Sequence, residues 1–459
     1  MARSISPQIY LVSLGCDKNR VDGEVMIGTL RGAGYEVPND PADADVIIIN
    51  TCGFIKDAVQ ESIDMVLELA AYKQEGSCRA LIIVGCMAER YRKEILETIP
   101  EADVIIGVGE YEKIAEVVAG LVGPASGSVN AAQISGEAAA AIPSDPYLLR
   151  LAARHDDAIP HVAYVKISEG CDNHCTYCTI PSIRGAYRSR TMESILEECR
   201  LLVEAGAKEL VLVAQDTSLY GTDIYGEKRL PALLREIAKS GADWIRLMYA
   251  YPEHITSDLI DVMAELPQIC KYIDMPIQHS EDSVLARMGR AGSRAALLEL
   301  IAQLREKIPG IAIRTTLMVG FPGETAEDFK NLYNFVRDVK FDRLGVFPYS
   351  QEEGTPAATM KQVRSDVKIS RMDKLMALQQ KIHFAKQREY IGRTLPVMID
   401  SVSKPETTGH GSCIGRTQYD AYEVDAVVNF DKMTNLFPGQ IVPMRITGAD
   451  DYDLKGVLE

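Results

Sequence analysis

Apolar runs alternate with amphipathic stretches through the first quarter of the chain. Gln8–Ser13 is a short apolar strand that ends at Gly15-Cys16. Helical spacing of apolar positions follows to about Leu30 and stops at Gly32 and Gly34. Asp45–Asn50 reads Asp-Val-Ile-Ile-Ile-Asn, the pattern of a buried parallel strand, and ends at Cys52. Asp57–Tyr72 is amphipathic. Ala80–Val84 repeats the buried-strand pattern up to Gly85-Cys86, and helical spacing runs on through Glu97. Asp103–Ile106 and a helix from about Glu110 complete the unit. Alternation of this kind predicts a parallel sheet with helices on both faces.

The pattern changes at Gly123–Ala141, which is rich in Ala, Gly, Ser and Pro without a period and reads as a linker. From His161 strands and helices alternate again. Strands are expected at His161–Ser168, Glu209–Ala214, Trp244–Tyr249, Tyr272–Asp274, Ile311–Met318 and Arg343–Phe347. Helices are expected at Leu196–Glu204, Leu230–Ala238, Ser257–Leu266, Ser283–Arg287, Ala295–Glu306 and Ala326–Val339. About six βα units predict a partial barrel, whose sites lie at the C-terminal strand ends. A long helix, Asp366–Tyr390, precedes a region of short strands, Leu395–Ile399, Glu423–Val428 and Gln440–Ile446, broken by Gly, Pro and Asn. That last region has the size of a small OB-like β-barrel. The fold class is therefore α/β multidomain. Its expected parts are an α/β domain at 1–122, a linker at 123–158, a partial (βα)6 barrel at 159–365, a connecting helix at 366–392 and a small β-barrel at 393–459.

Composition narrows the classes. No apolar run approaches the ~18 residues of a membrane span. The N-terminus has no apolar h-region, so the expected place is the cytoplasm. Ten cysteines are expected to stay reduced there, as metal ligands or buried residues. The net charge of −16 disfavours broad contact with nucleic acid. Arg393–Glu459 holds six basic against ten acidic residues, a net of −4, whereas an RNA-binding barrel is basic on its working face. The count suits a basic protein partner.

The cysteines carry the chemistry. Cys171, Cys175 and Cys178 lie in C-x3-C-x2-C spacing on one loop. Three thiolates so placed hold three irons of a [4Fe–4S] cube and leave the fourth iron for a ligand. The competing reading, a zinc knuckle or redox CxxC, lacks a fourth ligand nearby. Cys16, Cys52 and Cys86 each follow a different strand of the first unit, on the edge where open α/β sheets bind ligands. They form a second candidate set of three, against the reading of three buried structural cysteines. Cys78, Cys199, Cys270 and Cys413 have no ligand-spaced partners.

These two triads and the C-terminal β-barrel resemble the radical SAM methylthiotransferases over essentially the whole chain. Gly15-Cys16-Asp17-Lys18-Asn19-Arg20, Asn50-Thr51-Cys52-Gly53-Phe54-Ile55, Ala214-Gln215-Asp216-Thr217 and Tyr349–Thr355 resemble the branch that modifies ribosomal protein S12. The resemblance implies an N-terminal methylthiotransferase domain, a radical SAM barrel and a TRAM domain. It implies two [4Fe–4S] clusters and S-adenosylmethionine (SAM), with methylthiolation of the β-carbon of an S12 aspartate. One SAM would yield the 5′-deoxyadenosyl radical and a second the methyl group. An electron donor such as flavodoxin or ferredoxin, a sulfide source and a monomeric enzyme without a direct tRNA substrate are expected with it. It also points to Tyr177 near the adenine, Gln215 at the methionine amino group, Gln278 with His279 in the same cavity, and Gly320–Thr325 as a cofactor-approach loop. Tyr177, His279 and Gly320–Thr325 also have ordinary readings: a core aromatic, a hydrogen-bonded histidine and a capped turn. Two other functions remain open at this point. One is a tRNA adenosine methylthiotransferase; the other is a non-catalytic two-cluster electron or sulfur carrier.

Overall fold

The structure is a computed structural model and describes residues 6–122, 161–403, 412–431 and 435–459. The expected linker at 123–158 lies outside the described residues. The chain divides into two compact units. The first comprises residues 1–158, 169–172 and 179–201; the second comprises 159–168, 173–178 and 202–459.

In the first unit, Ile9–Ser13, Val46–Thr51, Ala80–Gly85 and Val104–Ile106 form a parallel sheet in sequence order. Gln8 also bridges Glu36 in parallel on the outer flank. The chain therefore leaves Ile9–Ser13 in one direction and continues from Val46 in the other. That reversal puts a switch point between the first two strands, where such sheets bind ligands. All of Val46–Thr51 and Ala80–Gly85 is buried, as expected around the apolar runs Val46–Ile49 and Ala80–Val84. Ile48 and Ile82 face Met26, Leu30 and Val118 on one side; Ile47 and Ile83 face Val66, Leu69 and Ile95 on the other. Each such side chain adds about 1.5–3 kcal/mol by leaving water. The Asp17–Gly32 helix begins directly after Cys16, and the chain turns away at Gly34 with φ +89°.

In the second unit, six parallel strands neighbour one another in sequence order and do not close. They are Val162–Lys166, Glu209–Val213, Trp244–Leu247, Ile269–Asp274, Ala312–Val319 and Arg343–Pro348. Five further strands, Thr394–Val402, Ser412–Thr417, Val428–Asp431, Ile441–Ala449 and Leu454–Leu458, close into a barrel around Val397, Ile399, Met444 and Ile446. No helix among the described residues is long and apolar enough to cross a membrane.

Two expectations change in this barrel. Glu423–Val428 is not a strand: Glu423 has φ +58° and pairing starts only at Val428. The strands Ser412–Thr417 and Leu454–Leu458 were not foreseen. The reason is tertiary, because the segment after Thr417 packs on the six-stranded sheet. Gln418 O accepts from Arg246 Nη1 at 3.0 Å, Tyr164 Oη donates to Tyr422 O at 3.3 Å and Tyr272 Oη donates to Asp425 at 2.7 Å.

The acidic count also reads differently in three dimensions. Asp400 meets His161 Nε2 at 2.6 Å and Arg416 Nε at 3.0 Å, Asp420 pairs with Arg343, and Asp425 lies 3.7 Å from Arg314. Glu209, at the start of its strand, takes Arg246 Nε at 2.6 Å and Arg416 Nη2 at 2.5 Å. Three of the acids counted toward the net −4 are thus turned inward against cations of the same unit. The count alone does not mark a surface for a basic partner.

Candidate functional site

Cys16, Cys52 and Cys86 follow the C-terminal ends of three strands that lie side by side, and close glycine contacts bring their loops together. A Cβ on Gly15, which has φ +88°, would sit 3.0 Å from Cys52 Sγ. A Cβ on Gly53 would meet the Cys86 carbonyl at 2.7 Å. Ser62 Oγ accepts from Cys52 N at 3.0 Å, and its one proton faces both Cys52 O at 3.0 Å and Ala58 O at 2.8 Å. Asn19 Nδ2 donates to Leu14 O and Thr51 O, both at 3.0 Å, and its Oδ1 lies 3.6 Å from Cys86 Sγ. Arg184, from the segment after the cysteine loop, donates to Asn19 Oδ1 at 2.6 Å and reaches Asp22 at 3.1 Å.

Burial pushes the Cys86 thiol up to about 11; Arg184 opposes the rise, and Cys16 and Cys52 add to it. Burial also raises Cys52, against a backbone N–H from Phe54, and Cys16 raises it further. The thiols thus sense one another. Left as free thiolates they would repel in a poorly solvated place, and bound iron removes that repulsion. Among the described residues no three His, Cys, Asp or Glu close around a single metal ion. A cube spreads its thiolates over separate irons, so it asks for a wider set than one ion does. The donor chemistry fits a cluster.

The loop triad is held differently. In the first unit Cys171 N donates to Gly185 O at 3.2 Å. In the second, Thr176 N donates to Met288 O at 2.9 Å, Ala357 N donates to Thr176 O at 2.9 Å and Cys178 N donates to Cys175 O at 3.1 Å. Gly289, with φ +72°, lets the chain pass where a Cβ would meet His174 O at 2.6 Å. Cys175 Sγ lies 2.8 Å from Tyr251 Oη, and the Arg290 guanidinium stacks 3.8 Å from the Tyr251 ring. Asp216, fully buried, accepts from Asn173 Nδ2 at 2.9 Å and Ser218 N at 3.0 Å, while Tyr251 N donates to Ser218 Oγ at 3.0 Å. These bonds run from the loop through Asp216 and Ser218 back to Tyr251. Sequence reasoning missed Asn19, Ser62, Arg184 and Tyr251 as parts of these surroundings. Only strand-end placement could have pointed to Tyr251, and nothing local pointed to Arg184.

The other expected residues fall as follows. Tyr177 packs edge-on to Phe321 at 6.3 Å, beside Val284, Met288 and Tyr349; burial raises its hydroxyl well above the usual range, and Cys175 adds to the rise. Gln215 is half-buried just past Glu209–Val213. Gln278 has φ +67° and bridges Leu317, with its N–H on Thr316 O at 2.9 Å. His279 is fully buried, and burial pushes it down to about 3, so it is neutral; its Nδ1 accepts from Glu281 N at 3.0 Å. Its Nε2 is buried without a hydrogen-bond partner among the described residues. Gly320 has φ +68°, and a Cβ there would sit 2.3 Å from Lys368 Cγ. Thr325 and Asp328 form a capping box at the start of the Ala326–Val339 helix. Cys78, Cys199, Cys270 and Cys413 are buried.

With this geometry in place, comparison with known proteins is informative. Residues 8–107 match Uncharacterized protein family UPF0004, residues 165–336 the Radical SAM superfamily, and residues 391–458 the TRAM domain. Ribosomal protein uS12 methylthiotransferase RimO of Lachnoclostridium phytofermentans is 46% identical over 455 residues, covering 98% of this chain and 100% of that protein. The chain belongs to the RimO-type radical SAM methylthiotransferases. The RimO of Desulfitobacterium hafniense is likewise 46% identical, covering 99% of each chain. Among solved structures, the radical SAM methyltransferase TsrM of Kitasatospora setae matches with a TM-score of 0.55 at 14% identity, over 87% of this chain and 80% of that one. At that identity the likeness speaks to the fold alone. The RimO-type assignment thus rests on the sequence relatives.

Proposed function

We propose that this RimO-type enzyme methylthiolates the β-carbon of an aspartate in ribosomal protein S12. One SAM serves as the radical source and a second as the methyl donor. The observation that carries this reading is 46% identity, over essentially the full length, to proteins named uS12 methylthiotransferase. Neither a tRNA substrate nor a non-catalytic carrier role is favoured by these relatives.

Cys171, Cys175 and Cys178 would hold one [4Fe–4S] cluster with an iron open to SAM; Cys16, Cys52 and Cys86 would hold the other. When bound, SAM and the two clusters would supply radical chemistry at the target carbon and the sulfur and methyl group to be placed there. The residues of the chain supply placement and dryness. Phe321, Met288, Val284 and Tyr349 pack beside Tyr177 and keep water from that side of the loop. Tyr251 meets the Cys175 sulfur with its hydroxyl, and Arg290 pins the ring. Gln215 and Gln278 present half-buried amides suited to the polar end of SAM. A donor such as flavodoxin or ferredoxin and a sulfide source serve the enzyme, which acts as a monomer in the cytoplasm.

The test uses the reduced, reconstituted full-length protein with SAM, S12 and tRNA. The expected result is 5′-deoxyadenosine together with a thiomethyl mass gain on one S12 aspartate. Absence of 5′-deoxyadenosine under strong reductant, or a mass gain on tRNA with none on S12, overturns the reading.

A further inference from the structure

The rim of the first unit contains more buried polar machinery than its sheet requires. Asn19 is fully buried, one turn into the helix that follows Cys16. Its single amide touches all three cysteine-bearing segments. Nδ2 donates to the carbonyl of Leu14, just before Cys16, and to that of Thr51, next to Cys52. Oδ1 lies 3.6 Å from Cys86 Sγ. The Asn19 carbonyl accepts from Asn50 Nδ2 at 2.7 Å, which ties the second strand end to the same point.

Oδ1 also accepts from Arg184 Nη2 at 2.6 Å. This guanidinium is buried, with 1% of its side chain exposed. Glu169 takes Nη1 through both oxygens, at 2.9 and 3.0 Å, and Asp22 takes Nη2 at 3.1 Å. Two carboxylates therefore fix the plane of a rigid fork, and one of its prongs points at the amide beside Cys86. An amide needed only to close loop carbonyls would not require a buried cation at its oxygen. A thiolate-bound cluster gives that cation a purpose, since outer groups of this kind orient ligands and tune the metal they hold.

We infer that Asn19 and Arg184 are positioning residues for a cluster on Cys16, Cys52 and Cys86: Asn19 ties the backbone before Cys16 to that before Cys52, and Arg184 raises the reduction potential. The inference rests on the proposal that these cysteines bind a cluster. The cation favours the more negative, reduced state, so its removal makes reduction harder. Asp22, on the opposite side of the balance, makes reduction harder while it is present.

The test uses the full-length chain with Cys171, Cys175 and Cys178 replaced by Ala, so that only rim iron is counted. Iron retention against a chelator and the midpoint potential, followed by electron paramagnetic resonance, are measured together. Asn19→Ala is expected to weaken the hold on iron about 10–100-fold. Arg184→Met lowers the potential, and Arg184→Lys, which keeps the charge, restores most of it. A purely structural role would give no such rescue. If Arg184→Met does not fold, Asp22→Asn decides, with an expected upward shift. Wild-type iron retention in Asn19→Ala together with an unchanged potential in Arg184→Met or Asp22→Asn overturns the inference. In the same background, replacing Cys16, Cys52 and Cys86 must remove the iron. If it does not, the cluster reading itself fails. If it does while the Asn19, Arg184 and Asp22 variants change nothing, only the present inference fails.

Discussion

Around Cys16, Cys52 and Cys86 side chains add to the backbone pairing of the strand ends, where Leu14 N donates to Asn50 O at 2.8 Å. Ser62 holds Cys52 by its N–H and its carbonyl, and Asn19 joins Leu14, Thr51 and the Cys86 thiol. Around Cys171, Cys175 and Cys178 the grip comes mainly from the backbone, through Gly185, Met288 and Ala357. The difference follows from chain connectivity. The loop triad has its spacing written into consecutive residues, so main-chain bonds suffice to fix it. The rim triad is spread over three strand ends that the parallel sheet sets side by side, and side chains join the loops beyond them.

The sharpest way to break this comparison is to remove the thiols. Cys175→Ala or Cys178→Ala is expected to reduce 5′-deoxyadenosine formation to background. Cys52→Ala or Cys86→Ala should leave it measurable while abolishing the thiomethyl gain on S12. Chromatography of the nucleoside and mass spectrometry of S12 check both. Equal loss of 5′-deoxyadenosine in all four variants would mean that the triads do not act separately.

A second contrast lies beneath the sites. The first unit's sheet is apolar on both faces, while one end of the second unit's sheet rests on buried ions. Arg416→Met leaves Glu209 and Asp400 with one cation fewer, and urea unfolding should show a loss of about 3–5 kcal/mol. The same change at Arg364, paired with Asp366 on the surface, should cost less than about 1 kcal/mol. Equal costs would show that the buried network contributes no more than a surface pair.

The second unit should also carry the pH sensitivity near neutrality. Glu324 Oε2 accepts from the N–H groups of Gly320 and Phe321, and Arg371 lies 2.9 Å from its other oxygen. Burial outweighs these partners and pushes the carboxyl from 4.5 up to about 7. A raised carboxyl favours the protonated folded state. Its contribution is complete below the unfolded value and is lost as pH rises to about 7, a change on the order of 3 kcal/mol. Glu324→Gln should flatten the stability profile over that window. An unchanged profile would place the titration elsewhere.

The smallest effect separates side-chain from backbone support. Ser62→Ala strips the Cys52 N–H and carbonyl of a shared partner and should cost about 1–2 kcal/mol in urea unfolding. Thr176→Val removes one bond to Arg287 O and leaves the backbone bonds to Met288 and Ala357, so it should cost less. The reverse order would sink the distinction.

Much of this was legible in advance. The strands Val46–Thr51 and Ala80–Gly85 were visible in the expected stretches Asp45–Asn50 and Ala80–Val84, and the six strands of the second unit appear in the expected order. The candidate loop set was named from spacing and the candidate rim set from strand ends, and Cys16, Cys52 and Cys86 do follow neighbouring strands. The C-terminal barrel was read less well. Its segment after Thr417 follows contacts with Arg246, Tyr164 and Tyr272, which no local pattern reveals. Asp400, Asp420 and Asp425 were counted as surface charge because composition carries no information about burial.

Periodicity and cysteine spacing belong to neighbouring residues, so the sequence alone determined the parallel strands, the two sets of thiols and the family that they resemble. Only the tertiary structure decided what surrounds those thiols and which charges are hidden. Asn19 meets Arg184 across 165 positions, and Glu209 meets Arg416 from another part of the chain. Such pairings depend on where packed elements come to rest and on the cost of burying an unpaired charge, and neither is written in a local pattern.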